Sequence, residues 1–139
     1  YCGQWIHFSD WYPDKKLRLF KKGHGEWKGI NPHDSYTLKK GKKIGKLEGD
    51  IHHWIHKDYQ ELLDKVEKFS TIASNAYYQL GIKSTYFKIL LRPTWAFFYS
   101  YILSFGFLNG KIGYRICKQK FRITLLKYQK LYRLWHQNS

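Results

Sequence analysis

Between Tyr59 and Leu80 apolar residues recur at helical spacing: Tyr59, Leu62, Leu63, Val66, Phe69, Ala73, Ala76, Tyr77 and Leu80. This period lines one face of a helix and leaves the other face to water, so the stretch predicts an amphipathic helix with a stripe to bury. Asp58, with Glu61 three residues on, makes a capping-box start with Asp in place of Ser or Thr. Gly81 is a natural stop, because a helix end commonly needs a left-handed residue. Ser84 is placed to cap a second helix through Leu91, and Pro93 breaks or kinks it. A last, basic helix is expected from about Ile112 to Trp135. Its apolar positions are Ile116, Ile123, Leu126, Leu131 and Leu134. Its cations are Arg115, Lys118, Lys120, Arg122, Lys127, Lys130 and Arg133.

Residues 93–110, PTWAFFYSYILSFGFLNG, carry no charge. A spanning helix needs about 20 apolar residues. This run is shorter and includes Ser100, Ser104, Gly106 and Asn109, so it reads as an interfacial or shallowly inserted helix. Arg92 and Lys111 bracket it as snorkelling anchors. Trp95, Phe97, Phe98, Tyr101, Phe105 and Phe107 are the rings expected at the membrane.

Charge points the same way. The formal charge is +15. Up to Glu67 the chain has thirteen Lys/Arg and all ten Asp/Glu; from Lys68 onward it has twelve Lys/Arg and no acid. Such a block indicates an anionic partner, either a membrane surface or nucleic acid. The aromatic share of 19% includes six Trp and twelve Tyr, residues that favour boundaries with one apolar and one wet side. No RNA-recognition, helix-turn-helix or zinc-finger pattern is present, and the uncharged run suits a membrane better than a phosphate backbone, so no nucleic-acid partner is expected. Cys2 and Cys117 lie far apart and lack ligand spacing, which argues against a disulfide scaffold or zinc module. His52, His53 and His56 form HHxxH, without the Glu of H-E-x-x-H or a clear third ligand, so no metal site is expected there. The first residue is Tyr1 and the chain has no Met, which reads as a fragment or processed piece.

The N-terminal part concentrates its chemistry in residues 11–34, WYPDKKLRLFKKGHGEWKGINPHD. Residues 1–9 read as a strand or extended entry. Ser9-Asp10 and Pro13-Asp14 are turn signals around Trp11-Tyr12. Lys16 to Lys21 alternates, predicting a half-buried strand with Leu17 and Leu19 inward and Arg18 on the opposite face. Lys22 to Gly25 is a turn, and an irregular segment runs from Trp27 to Asp34. Lys39 to Lys46 reads as a solvated hairpin tip. Lys46 to Trp54 reads as a short strand with Leu47 and Ile51 inward.

These stretches stand in a particular order: W-Y-P-D-x-K-L-R-L-F, a Gly turn and Trp27, His33-Asp34, a strand ending in His52-His53, a Lys-containing helix with Phe69-Ser70 and Ala73, R-P-x-W, and G-F-L-N-G. The order resembles the C-terminal half of bacterial family-2 glycosyltransferases of the type involved in lipopolysaccharide core assembly, over nearly the whole chain. Such enzymes usually have H-E where this chain has His33-Asp34, and G-F-L-D-G where it has residues 106–110. Asp for Glu keeps the carboxylate with a shorter reach; Asn109 for Asp removes a charge.

The resemblance implies an α+β chain. Residues 1–56 would be the C-terminal edge of a GT-A α/β catalytic domain, with short strands and loops. Residues 57–139 would be a helical, membrane-associated tail. It implies an inverting hexosyltransferase at the cytoplasmic face of a bacterial inner membrane. The partners would be a nucleotide-sugar donor, a lipid-linked saccharide acceptor and an anionic membrane surface. The chain has neither a Gly-rich phosphate loop nor a D-x-D motif, so the donor half and its divalent metal, Mg or Mn, are expected outside it, and this chain alone would bind no metal and be inactive. Asp34 is the candidate base, with capping of the next turn through Ser35 or Tyr36 as the plain alternative. His33 could bind the diphosphate or its metal, or serve as a hydrogen-bonding residue. Arg18 could pair with a phosphate, with Asp14 orienting it or binding a sugar hydroxyl; an exposed strand Arg and a turn Asp are the plain readings. Trp11 and Trp27 could stack on a sugar ring, or be core aromatics.

Overall fold

The computed structural model describes residues 3–29, 35–52 and 59–137. Two short strands precede three helices, an α+β arrangement with a helical C-terminal part. Strands β1 (Gly25–Lys28) and β2 (Ser35–Leu38) pair antiparallel, with Trp27 opposite Tyr36. The helices are α1 (Tyr59–Gln79), α2 (Tyr86–Phe98) and α3 (Gly110–Gln137). A π-helical turn, Tyr99–Leu103, and a 3-10 turn, Gly106–Asn109, join α2 to α3.

The periodicity of α1 is realised in burial: Leu62, Val66, Ala73 and Ala76 are buried. Ser70 and Ser74 share that buried face, and their hydroxyls donate to the carbonyls of Glu67 and Thr71, so small polar residues sit inside without orphaned groups. The helix ends as Gly81 requires. Gly81 has φ +71°, its N–H donates to the Tyr78 carbonyl and the Ile82 N–H donates to the Tyr77 carbonyl, each at 3.0 Å. Asp58 lies outside the described residues.

Helix α3 is the spine. It packs on α1 and on α2, whose backbones, among the described residues, do not come close to each other. At 28 residues it is about 42 Å long. Ile116, Cys117, Tyr128 and Leu131 are its buried side chains toward the core. Polar contacts fix its register. The buried Gln119 amide donates to the Leu62 carbonyl at 3.0 Å, and Lys130 reaches the Glu67 carboxylate (2.5 Å), Thr71 Oγ1 (2.7 Å) and Ser70 Oγ (2.9 Å). The Trp135 indole donates to the Ile82 carbonyl at 2.9 Å.

Helix α2 departs from expectation twice. Its cap is Thr85, whose hydroxyl oxygen accepts from the Lys88 N–H at 3.3 Å; Ser84 instead is buried and donates to the Tyr128 carbonyl at 2.9 Å. Pro93 does not break the helix, which runs through it to Phe98. The proline ring is buried, so packing offsets the lost amide, and the backbone then widens into the π turn.

The N-terminal strand expectations fail. Residues 16–21 form no strand, and Leu19 is 75% exposed. Within 46–54, the described residues 46–52 form no strand either, with Leu47 and Ile51 both exposed; residues 53 and 54 lie outside the described residues. Alternation specifies a strand only when a sheet supplies a partner and a covered face, and the described sheet has only β1 and β2. Trp27, expected in an irregular segment, is in β1. Lys39 to Lys46 is solvated, but as a loop beyond β2; the Lys39 N–H closes the hairpin base on the His24 carbonyl at 2.9 Å.

Candidate functional site

Of the expected site residues, His33 and Asp34 lie outside the described residues. Trp11 is half-buried and packs, with Ile6, against the core pair Leu62 and Ile116. Ile6 and Trp11 therefore pack on the helical core although they stand in the expected 1–56 segment. Asp14 pairs with Lys16 at 2.6 Å, not with Arg18. Arg18 is exposed and makes no ion pair among the described residues. Trp27 is 62% exposed on β1, with edge contacts to Phe20 and Tyr36, while Phe20 stacks on Tyr36 at 3.6 Å. The hairpin thus carries a three-ring cluster with one open indole. Trp11 and Trp27 are not brought together.

A different set does converge. The Tyr12 hydroxyl donates to Asp50 Oδ2 at 3.0 Å, His7 lies edge-on to Tyr12, and Trp5 lies edge-on to His52 with centroids 4.8 Å apart. The Asp50 carboxylate raises the Tyr12 phenol above its ordinary range, chiefly through this hydrogen bond. No sequence motif links residues 5–12 to 50–52, so only the folded chain reveals this cluster. Among the described residues no group of three His, Cys, Asp or Glu could hold a metal ion.

The same entry segment makes a polar clasp. The Asp10 carboxylate accepts from Ser100 Oγ in the π turn and from Lys120 Nζ on α3. The Ser9 N–H donates to the Ser104 carbonyl at 2.8 Å, and the His7 N–H to Asn109 Oδ1 at 3.2 Å. Position 109 therefore has a described role as an acceptor for the entry segment. Cys117 is buried beside this clasp, with its Sγ 3.5 Å from Ser100 Oγ; burial pushes its thiol up from the ordinary value.

The second surface is the open face of α2 and the turns after it. Tyr86, Phe87, Leu90, Leu91, Trp95 and Phe98 are exposed, and Ile102, Leu103, Phe105, Phe107 and Leu108 extend the exposed apolar surface to the tip. Positions 87, 91, 95, 98 and 102 follow one another at three- and four-residue steps, so they form one row. Phe105 is in the left-handed region at φ +55°, an unfavourable place for a ring-bearing residue. Arg92 is exposed near the row and Lys111 at its far end. Phe97 and Tyr101, also expected at the membrane, are half-buried; they stack on each other at 5.3 Å and meet Tyr114 edge-on. Among the described residues no helix is long and apolar enough to cross a membrane.

No family model matches the chain, and no solved structure matches it.

Proposed function

We propose that this chain supplies the acceptor side and the membrane-docking surface of an inverting family-2-type glycosyltransferase. The enzyme would move a sugar from a nucleotide-sugar donor to a lipid-linked saccharide, such as lipopolysaccharide core, at the cytoplasmic face of a bacterial inner membrane. The observation that carries the proposal is the exposed apolar row of Phe87, Leu91, Trp95, Phe98 and Ile102, with exposed Phe105 and Phe107 beyond it, in a part of the chain that has cations and no acids. Large apolar side chains left in water in this number call for a cover. Full removal of one such side chain from water stabilises by about 1.5–3 kcal/mol, and a cation beside an anionic bilayer adds about 1 kcal/mol. Partial insertion of several rings therefore dominates the affinity, and the cations set the preference for anionic lipid.

In this reading the donor pocket and its Mg or Mn lie outside residues 1–139. Asp34 takes the proton from the acceptor hydroxyl as that oxygen attacks the anomeric carbon and the nucleoside diphosphate leaves from the opposite face. Trp27 offers an open indole and Arg18 an exposed cation, each available to a sugar or phosphate in this reading. The test has two arms. The full chain should sediment with phosphatidylcholine vesicles doped with phosphatidylglycerol and lose retention when Trp95 and Phe98 are both changed to Ser. In an enzyme that includes a donor-binding half, Asp34→Asn should lower kcat by about a hundredfold or more. Absence of vesicle retention sinks the docking role, and near-normal turnover of the Asn variant sinks the base.

One observation favours a second reading, a non-catalytic module for anionic membranes: the described candidate residues Trp11, Asp14, Arg18 and Trp27 have separate contacts. That reading expects vesicle binding without donor-dependent transfer.

A further inference from the structure

Apart from Arg133, which is exposed outside the groove described below, the Lys and Arg residues of α3 fall into two groups. Lys120, Lys127 and Lys130 each have a partner: Asp10, the Tyr77 ring and hydroxyl, and Glu67 with Ser70 and Thr71. Lys111, Arg115, Lys118 and Arg122 have no ion pair or hydrogen bond among the described residues, and all four are exposed. They line a groove of about 740 Å³, floored by Leu63 and Gln119 and walled by Tyr101 and Tyr114, with no acidic side chain in its lining.

Their spacing is regular. Steps of four, three and four residues place them in one row about 16 Å long, with neighbours about 5–6 Å apart. Like charges in such a row repel, and only Lys118 has a mitigating contact, its ammonium 6.0 Å from the Tyr114 ring centroid. Lys and Arg alternate, so the row divides into two Lys–Arg pairs, Lys111 with Arg115 and Lys118 with Arg122. Each pair joins a point charge to a planar fork, a combination suited to one phosphate. The aromatic wall is itself braced, since Tyr114 meets Phe97 and Tyr101 edge-on.

We propose that this groove binds a phosphate-bearing ligand, held by the Arg115 and Arg122 forks with Lys111 and Lys118 beside them. It adjoins the far end of the apolar face at Lys111, and its ligand is either a soluble diphosphate or the phosphates of a lipid-borne headgroup or saccharide. The lipid-borne case rests on the membrane reading above; the phosphate chemistry does not.

The test titrates inorganic pyrophosphate into the full chain by calorimetry, with two charge-matched variants. Arg115→Gln with Arg122→Gln empties the forks. Lys68→Gln with Arg133→Gln removes the same charge from exposed positions outside the groove. Charge-assisted contacts of this kind make the expected loss on the order of tenfold for the groove pair, against less than about twofold for the control pair. Equal losses in both variants, or no pyrophosphate binding by the unaltered chain, would overturn the proposal. Vesicles of phosphatidylcholine doped with phosphatidic acid, added as competitor, identify the source: displacement of pyrophosphate supports a lipid-borne ligand and its absence a soluble one. The Trp95 and Phe98 variant reads the membrane face separately, so loss of vesicle retention there with pyrophosphate binding intact leaves the groove standing. Retention of a mixed-sequence RNA that needs Arg115 and Arg122 and that pyrophosphate cannot displace would overturn the proposal in favour of nucleic acid.

Discussion

Replacing Gly113 by Ala sets helix propensity against packing. In an open helix the change is favourable by about 1 kcal/mol. Here Gly113 is buried near the start of α3, and an added Cβ would lie 1.9 Å from the Gly106 carbonyl oxygen and 3.0 Å from Asn109 Cβ. Gly106 is equally confined, with a Cβ there meeting the Ser100 carbonyl oxygen at 2.6 Å. The nearest obstacle in each case is a backbone carbonyl oxygen, so relief at Gly113 requires the 3-10 turn to move away from α3 by more than an ångström or so, as ordinary van der Waals separation demands. Overpacking of this kind costs about 1–3 kcal/mol. The same movement strains the Ser9–Ser104 and His7–Asn109 hydrogen bonds, each worth about 1 kcal/mol. Packing therefore outweighs propensity, for a net destabilisation of about 2–3 kcal/mol. For a chain of this size that lowers Tm by roughly 6–12 °C. The assay is thermal unfolding by far-UV circular dichroism, with Gly45→Ala as control. A Cβ at Gly45 meets nothing within 4 Å, so its effect should stay within about 0.5 kcal/mol. A Gly113→Ala protein as stable as the parent would refute the close-packing argument.

Asp10→Asn should destabilise by about 1–2 kcal/mol, because it removes the Lys120 ion pair and weakens the Ser100 hydrogen bond at a site only partly open to water; the urea midpoint checks this. Cys117 should resist alkylation in the folded protein and react promptly in urea, since burial holds its thiol up. The same shift has a pH consequence. Above the ordinary thiol range the unfolded chain has lost a proton that the folded chain retains, so stability falls as pH rises through and beyond that range. Cys117→Ala should flatten that part of the profile, read as Tm against pH. Phe105→Gly should relieve the left-handed strain and stabilise the fold by about 1 kcal/mol while reducing retention on anionic vesicles, measured by thermal unfolding and co-sedimentation.

The helical part was legible because its signals are local. The period of α1, the stop at Gly81 and the extent of α3 all follow from residues within a few positions of each other. Ser84 and Pro93 misled for a common reason. Each was read by its backbone role, yet each is buried, and contacts across the fold decide its place. Leu19, Leu47 and Ile51 alternate as strand residues do, but no sheet covers them. The Tyr12–Asp50 contact and the Asp10 clasp join residues 38 to 110 positions apart, a pairing that no spacing rule could suggest. The division of the α3 cations into partnered and unpartnered sets was likewise invisible, because both sets share residue types and helical repeat.

The clasp also has a mechanical meaning. Three tethers, through Ser9, Asp10 and His7, fasten the entry segment to the π turn, to α3 and to Asn109. The greasy tip and the loops that lead to Trp27 are thereby geared to one another. Any tilt of the tip is therefore passed through these tethers to the entry segment and on to Tyr12.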